Sequence, residues 1–361
     1  MKRILLVLCG GTICTAATAT QNGAIRSISA DAATWLSAYY FKSGSKYKNE
    51  VEFETSKNFG ILSENMTIEK WNSLIRFFSE KRGTFKDYEG MIVAHGTDTL
   101  AYSSALFSLV LRNVGIPVFF VSSNEPLNLS NGDINPNANG NINFRKAVEC
   151  ICMGIKPNVY VVYKNPSSGK VFLHLGSRLT QCRNYSEDFF SEGCIDITSL
   201  SGAEECAALF KDCCVDRSEE ASLSRCPVLN NCVLKIEPYV GLNYRAFDYT
   251  QFRAVLHGTY HSGTVCTEKT KEDPRYGTQS ILHLIDACDE KTDVFLSPAK
   301  NSGEIYDSVD IFSNHRHTGV HFLYGCTNEM TYVKLLLAYS LGVSDVDSFM
   351  KTEFNSEIAY S

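Results

Sequence analysis

Arg3-Ile4-Leu5-Leu6-Val7-Leu8-Cys9-Gly10-Gly11-Thr12 runs apolar without alternation and stops on two glycines and a threonine. Unbroken apolarity over so short a span marks a strand buried on both faces, as in a parallel sheet covered by helices. The glycines allow a tight turn at the strand's carboxyl end, where open parallel sheets bind their ligands, and Thr12 brings a hydroxyl into that crevice. The pattern recurs down the chain. Residues 51–55, 90–95, 116–122 and 158–163 are short runs rich in β-branched and aromatic side chains, with amphipathic helices predicted between them over 67–82, 99–113 and 141–153. Alternating strands and helices define an α/β chain whose larger, N-terminal part is a doubly wound, mostly parallel sheet.

After residue 194 the pattern weakens into a polar, acid-flecked segment and then restarts with strands at 232–237, 254–257 and 294–297 and helices at 279–288 and 330–341. The division that follows is an N-terminal domain over 1–198, a linker over 199–227 carrying one short helix, and a smaller C-terminal α/β domain over 228–361. No internal repeat is evident. The stretch 124–143 is dense in Asn, Gly and Pro and reads as a long loop, and loops of that length are more often functional than idle.

Composition excludes several classes. The 361 residues are 44% hydrophobic with a net charge of −6, enough chain for about two domains and too acidic for a surface that neutralises nucleic-acid phosphates. No apolar run approaches the roughly 18 residues of a membrane span. Met1-Lys2-Arg3 followed by Ile4 to Cys9 imitates a signal peptide, but its apolar core is shorter than the roughly 7–15 residues of an h-region. The 14 cysteines are scattered, without C-x-x-C or zinc spacing, and many sit in apolar segments, so they read as reduced, small hydrophobes in a cytoplasmic protein. His315, His317 and His321 lack acidic or cysteine ligands at helpful spacing, so neither a metal nor a cofactor is expected.

His95-Gly96-Thr97-Asp98-Thr99 repeats the strand-end arrangement of Gly10-Gly11-Thr12, here at the start of a helix whose N–H groups suit a carboxylate or oxyanion. Together with Ser63-Glu64-Asn65-Met66-Thr67 ahead of a Trp-containing helix, these elements resemble the bacterial-type L-asparaginase and glutaminase family, and more closely its cytoplasmic type I branch. The resemblance continues through Ala138-Asn139-Gly140-Asn141, His317-Thr318-Gly319-Val320 and Glu329-Met330-Thr331. It implies a two-domain fold, a homodimer or homotetramer, and an amidohydrolase acting on a small-molecule amide, asparagine in the first instance. It further implies that Thr12, beside Gly11, is the nucleophile, that Ser63 and Glu64 lie at the substrate's α-carboxylate, that Asp98 binds its ammonium group, and that Thr97 helps move the proton.

The match fails at instructive places. The family's lysine at the end of Gly-x-Arg-x-Thr-Lys is Gln181 in Gly176-Ser177-Arg178-Leu179-Thr180-Gln181, and an amide cannot serve as a base. The loop tyrosine is Ala24, Glu64 replaces a neutral residue, and Asn139 replaces an aspartate. In the second domain Gly258-Thr259-Tyr260-His261-Ser262-Gly263 replaces the usual loop, bringing Tyr260 and His261 toward the substrate; His261, Tyr260, Lys170 and Arg183 are the groups available as a substitute base. The rival readings are a weak or inactive asparaginase-like protein that binds an amino acid, and an ammonia-donating component of an amidotransferase.

Overall fold

Residues Lys2–Gly10 form strand β1, and Ile4 to Gly10 are all buried. Ile4, Leu6 and Leu8 enter a core with Leu36, Phe119, Phe144 and Ile151, while Leu5 and Val7, by the alternation of a strand, bury on the opposite face. The computed structural model describes residues 1–20, 23–213, 215–216, 218–225, 227–269, 276–288, 292–300, 305–315 and 320–359. They form two compact units, Met1–Cys226 with Phe354–Ser356, and Pro227–Glu353 with Glu357–Ser361.

In the first unit β1 is followed by the antiparallel pair β2 (Thr15–Thr20) and β3 (Gly23–Ile28), helix α1 (Ala32–Lys42) and strand β4 (Val51–Ile61). Then come α2 (Ile68–Lys81), β5 (Gly90–Ala94), α3 (Leu100–Val110), β6 (Val118–Val121), α4 (Gly140–Cys152), β7 (Val159–Lys164) and β8 (Val171–Leu175). Short strands β9 (Leu179–Thr180), β10 (Phe190–Ser191) and β11 (Ile195–Asp196) and helix α5 (Ala203–Ala208) complete it. The main sheet is ordered β11-β8-β7-β6-β5-β1-β4, with β4, β1, β5, β6 and β7 parallel. In chain order those five strands are the 2-1-3-4-5 arrangement, whose switch point lies between β1 and β5.

Helix α2 starts as its sequence predicts, with Thr67 accepting a hydrogen bond from the Lys70 N–H and Trp71 buried against Ser103. Strand β4 runs beyond the expected 51–55. Among the described residues it lies at the sheet edge and pairs with β1 alone, so polar residues such as Thr55 and Asn58 interrupt its apolarity without ending the strand. The β2–β3 pair and α1, absent from the sequence reading, fill the stretch after Thr12. Ala24 lies in β3, paired with Ala19.

The expected linker over 199–227 is a correction: the segment folds into the first unit, and the division falls at Pro227. Leu200, Cys206 and Leu209 join the core of that unit. The fully buried Arg112 guanidinium binds the carbonyls of Asp216, at 3.0 Å, Ser218, at 3.2 Å, and Glu220, and stacks over the Phe354 ring at 5.2 Å. The acidic side chains that suggested a linker are the solvent face of packed chain.

The second unit is a parallel sheet of β12 (Val233–Ile236), β13 (Ala254–His257), β14 (Asp293–Leu296) and β15 (Val320–Phe322), in that order. Helices α6 (Ile281–Ala287), α7 (Asp307–Ser313), α8 (Asn328–Ser340) and α9 (Val346–Lys351) accompany it. Ile236, Val255, Leu284, Leu296 and Phe312 share its core. Lys334 of α8 is fully buried and pairs with the equally buried Glu357 at 2.6 Å.

Of the segment resembling the family at 317–320, residues 317–319 lie outside the described residues, and Val320 opens β15. Among the described residues no helix is long and apolar enough to cross a membrane, and no group of three or more His, Cys, Asp or Glu could hold a metal ion. His315 is instead paired with Asp286 at 3.0 Å and His321 with Asp347 at 3.3 Å.

Candidate active site

Three strand-end loops meet where β1, β4 and β5 lie side by side. After β1, Gly10 (φ 130°) and Gly11 (φ 75°) take conformations that side-chain-bearing residues rarely adopt. Space is equally restrictive. A Cβ on Gly10 would stand 2.1 Å from the Ile61 carbonyl oxygen, and one on Gly11 would stand 2.1 Å from the Gly96 Cα. A Cβ on Gly96 would in turn lie 2.3 Å from the Ser63 Oγ. The loops of 10–12, 61–63 and 95–98 therefore interlock backbone to backbone, and the glycines are what lets them touch.

Thr12 opens a 3-10 turn over Thr12–Cys14 and is half-buried; its carbonyl accepts from the Thr15 hydroxyl at 2.9 Å. Ser63, buried, donates its hydroxyl to the Asp98 carboxylate at 2.9 Å and accepts from the Asp98 N–H at 3.3 Å. The Thr99 hydroxyl donates to the Ser63 carbonyl at 3.0 Å, so the two loops are tied at three points. Glu64 follows Ser63 on an exposed turn. Gln181, just beyond β9, donates its amide to the Thr97 carbonyl at 2.9 Å. Gly11, Ser63, Thr97, Asp98 and Gln181 are thus brought into one locality, with Thr12 directly on the interlocked Gly11.

A cavity of about 180 Å³ adjoins this cluster, lined by Thr97, Asp98 and Gln181 together with Asn124, Tyr163 and Glu187. Those last three were missed in the sequence. Asn124 and Glu187 stand in polar stretches whose only signal was their loop composition, and Tyr163 looked like an ordinary strand residue. Cys182 also lines the cavity. Burial, helped by the neighbouring acids Asp188, Glu187 and Asp98, pushes its thiol up to about 12, so it is a neutral thiol rather than a thiolate at neutral pH.

His95 is buried beneath the site, its ring edge-on to Phe120 at 5.9 Å. Its Nδ1 contacts the Gly96 carbonyl at 2.8 Å, and since a carbonyl only accepts, Nδ1 carries the proton. Burial holds the imidazole down to about 4 and keeps it neutral. Its role is to fix the turn that presents Thr97 and Asp98.

The second unit repeats the local motif as His257-Gly258-Thr259. His257 Nδ1 contacts the Gly258 carbonyl at 2.5 Å, and a Cβ on Gly258 would stand 2.2 Å from the Glu237 Oε2. Tyr260 and His261 follow it, both exposed. Tyr260 lines a cavity of about 170 Å³ with Tyr239, Leu242, Tyr244 and Cys266 of that unit. Of the remaining substitute bases, Lys170 is paired with Asp196 at 3.0 Å and Arg183 is exposed.

A doubly wound sheet with threonine, serine and aspartate side chains gathered at its switch point defines a class of α/β proteins that bind a small polar ligand at the strands' carboxyl ends. The profile of the family Asparaginase, N-terminal, fits residues 3–203. The chain belongs to the asparaginase family.

L-asparaginase of Thermococcus kodakarensis is 29% identical over 203 residues, 56% of this chain and 55% of that protein. A component of the glutamyl-tRNA(Gln) amidotransferase from Thermoplasma volcanium is 26% identical over 222 residues, 62% of this chain and 50% of that protein. The matched region thus spans about half the length of these two relatives. Among solved structures, the thermostable L-asparaginase from Thermococcus kodakarensis aligns with TM-score 0.72 at 23% identity, covering 99% of this chain and 100% of that one. L-asparaginase I from Vibrio cholerae aligns with TM-score 0.67 at 18% identity, covering 99% of each.

Proposed function

We propose that this chain is an amidohydrolase that releases ammonia from a side-chain amide, with Thr12 as its nucleophile. The Thr12 oxygen attacks the amide carbon, its proton passes to the departing nitrogen, the C–N bond breaks, and water then cleaves the acyl ester to give a carboxylic acid. The observation that carries this reading is the interlock of Gly11, Gly96 and Ser63, which sets the Thr12 turn against the loop bearing Thr97 and Asp98. Family membership supports the reaction class. A homo-oligomer in the cytoplasm is the accompanying proposal, resting on the family resemblance of the sequence.

Gln181 sets the expected rate. Its amide holds the Thr97 carbonyl but takes no proton, and a missing general base costs about 10²- to 10⁴-fold. Ammonia release from L-asparagine and L-glutamine is therefore expected to be slow, abolished in Thr12→Ala and raised by at least about 10²-fold in Gln181→Lys. Turnover that survives Thr12→Ala would remove Thr12 from the mechanism. Thermal stabilisation by L-asparagine without ammonia from the native chain or Gln181→Lys would favour the binding protein instead.

A further inference from the structure

We propose that Cys150 and Cys206 are a redox modification site: hydrogen peroxide converts them to a reversible disulfide that locks the segment 199–213 onto the first unit.

Cys150 lies in the last turn of α4 and Cys206 in α5. They are 56 positions apart, yet both are fully buried in one core, and Cys206 Sγ donates to the Cys150 carbonyl at 3.7 Å. The two side chains also hydrogen-bond to each other. The sulfurs therefore face one another before any oxidant arrives.

The segment that carries Cys206 is fastened by side chains reaching its backbone. Lys146 donates to the Leu200 carbonyl at 3.3 Å, Lys46 to the Ser201 carbonyl at 2.8 Å, and Lys156 to the Lys211 carbonyl at 3.1 Å. Helix α5 has six residues, of which Cys206 alone is buried, whereas the 13-residue α4 buries most of its side chains. So short a helix, held by one side chain, opens without unfolding the rest of the unit. Opening brings Cys206 to water and leaves Cys150 in place.

Cys206 is also the sulfur suited to react first. The hydrogen bond from Cys150 holds its thiol below the ordinary value, against burial and Glu205, and the same bond, with burial, raises Cys150. The Cys206 thiolate attacks one peroxide oxygen, the O–O bond breaks, and the departing hydroxide takes up the proton that Cys206 lost, leaving a sulfenic acid. On reclosure the Cys150 sulfur attacks the Cys206 sulfur. The S–S bond forms, the S–O bond breaks, and hydroxide leaves with the Cys150 proton as a second water. Two thiols are oxidised and one peroxide is reduced to two waters.

The test treats the full chain with hydrogen peroxide and maps its disulfides by mass spectrometry without reduction. A 150–206 linkage is expected, reversed by dithiothreitol. It should raise the melting temperature by roughly 5–15 °C, the usual effect of closing a long loop in a unit of about 150–250 residues. Hydrogen exchange of the α5 amides should slow at least about 10-fold, because the opened state is forbidden. Cys206→Ser should lose the linkage, and Cys150→Ser should stop at the Cys206 sulfenic acid, which dimedone traps.

Cys213, partly buried against the same core, is the competitor. A 206–213 linkage in place of 150–206, a 150–206 linkage formed only in denaturant, or Cys206 still a thiol once Cys213 and Cys182 are oxidised would overturn the proposal. So would an oxidised chain that melts no higher and exchanges α5 no more slowly than the reduced one.

Discussion

Gly96→Ala is the smallest perturbation that tests the interlock. Gly96 needs no left-handed backbone, so any cost is steric. The added methyl would meet the Ser63 Oγ at 2.3 Å, the Ser63 Cβ at 2.6 Å and the Gly11 Cα at 2.9 Å, all inside the distances real Cβ atoms keep. Ser63 is buried and bonded to Asp98, and Gly11 is pinned to the Ile61 carbonyl at 2.9 Å, so neither neighbour can swing away. Overpacking of this kind costs about 1–3 kcal/mol. In a unit of roughly 150–250 residues that corresponds to a fall of about 2–12 °C in the melting temperature. Ser63→Gly removes the two closest contacts, so Gly96→Ala/Ser63→Gly should recover part of the melting temperature while leaving Asp98 without its hydroxyl partner. Differential scanning calorimetry reads both variants. A Gly96→Ala protein that melts with the native one and retains native ligand binding would refute the claim that backbone contact among these loops builds the site.

Stability should also fall with acid before the carboxylates titrate. Burial lowers His95 and His257 to about 4 and His174 to about 3, each from 6.5, so the unfolded chain takes up protons that the folded chain refuses. The stabilisation is complete above pH 6.5 and is lost as pH falls toward those values, at about 1.4 kcal/mol per pH unit for each histidine, on the order of 3 kcal/mol in all for His95 and His257 and on the order of 5 kcal/mol for His174. Denaturant melts between pH 7 and 5 check this: a flat profile contradicts it, and His174→Gln should about halve the slope of the first unit.

In the second unit, Lys334→Met strands the buried Glu357 carboxylate and should cost about 3–5 kcal/mol, whereas Lys334→Met/Glu357→Leu should recover most of the loss. A single variant as stable as the native chain would show that the pair is not buried as described.

The doubly wound sheet was legible because a strand covered on both faces must be apolar throughout, and Ile4 to Cys9, 91–94 and 118–121 have no other use for such composition. The boundaries that failed were those where burial is one-sided. Strand β4 continues through polar residues because its outer edge is unpaired among the described residues, and the segment after 198 reads as a linker because its acids face solvent while Leu200, Cys206 and Leu209 face the core.

At the site, glycine-threonine turns at strand ends marked Thr12, Thr97 and Asp98 in the sequence, since the backbone conformation and the helix start are local properties. What they touch is not local. That Gly96 exists to admit Ser63, that Gln181 holds the Thr97 carbonyl from 84 positions away, and that Asn139 steadies Asn124 and through it Glu187 all follow from sheet order, which brings distant residues together. The recurrence of His-Gly-Thr at 95 and 257 is likewise too short to read as a repeat, and it gains meaning only from the two parallel strands that each end in a buried, neutral histidine. Periodicity and turn chemistry are written in neighbouring residues, so the sequence determined the elements and the kind of strand end that carries the chemistry. Close packing between distant loops is not written there, and so the tertiary structure alone decided which groups meet in the crevice.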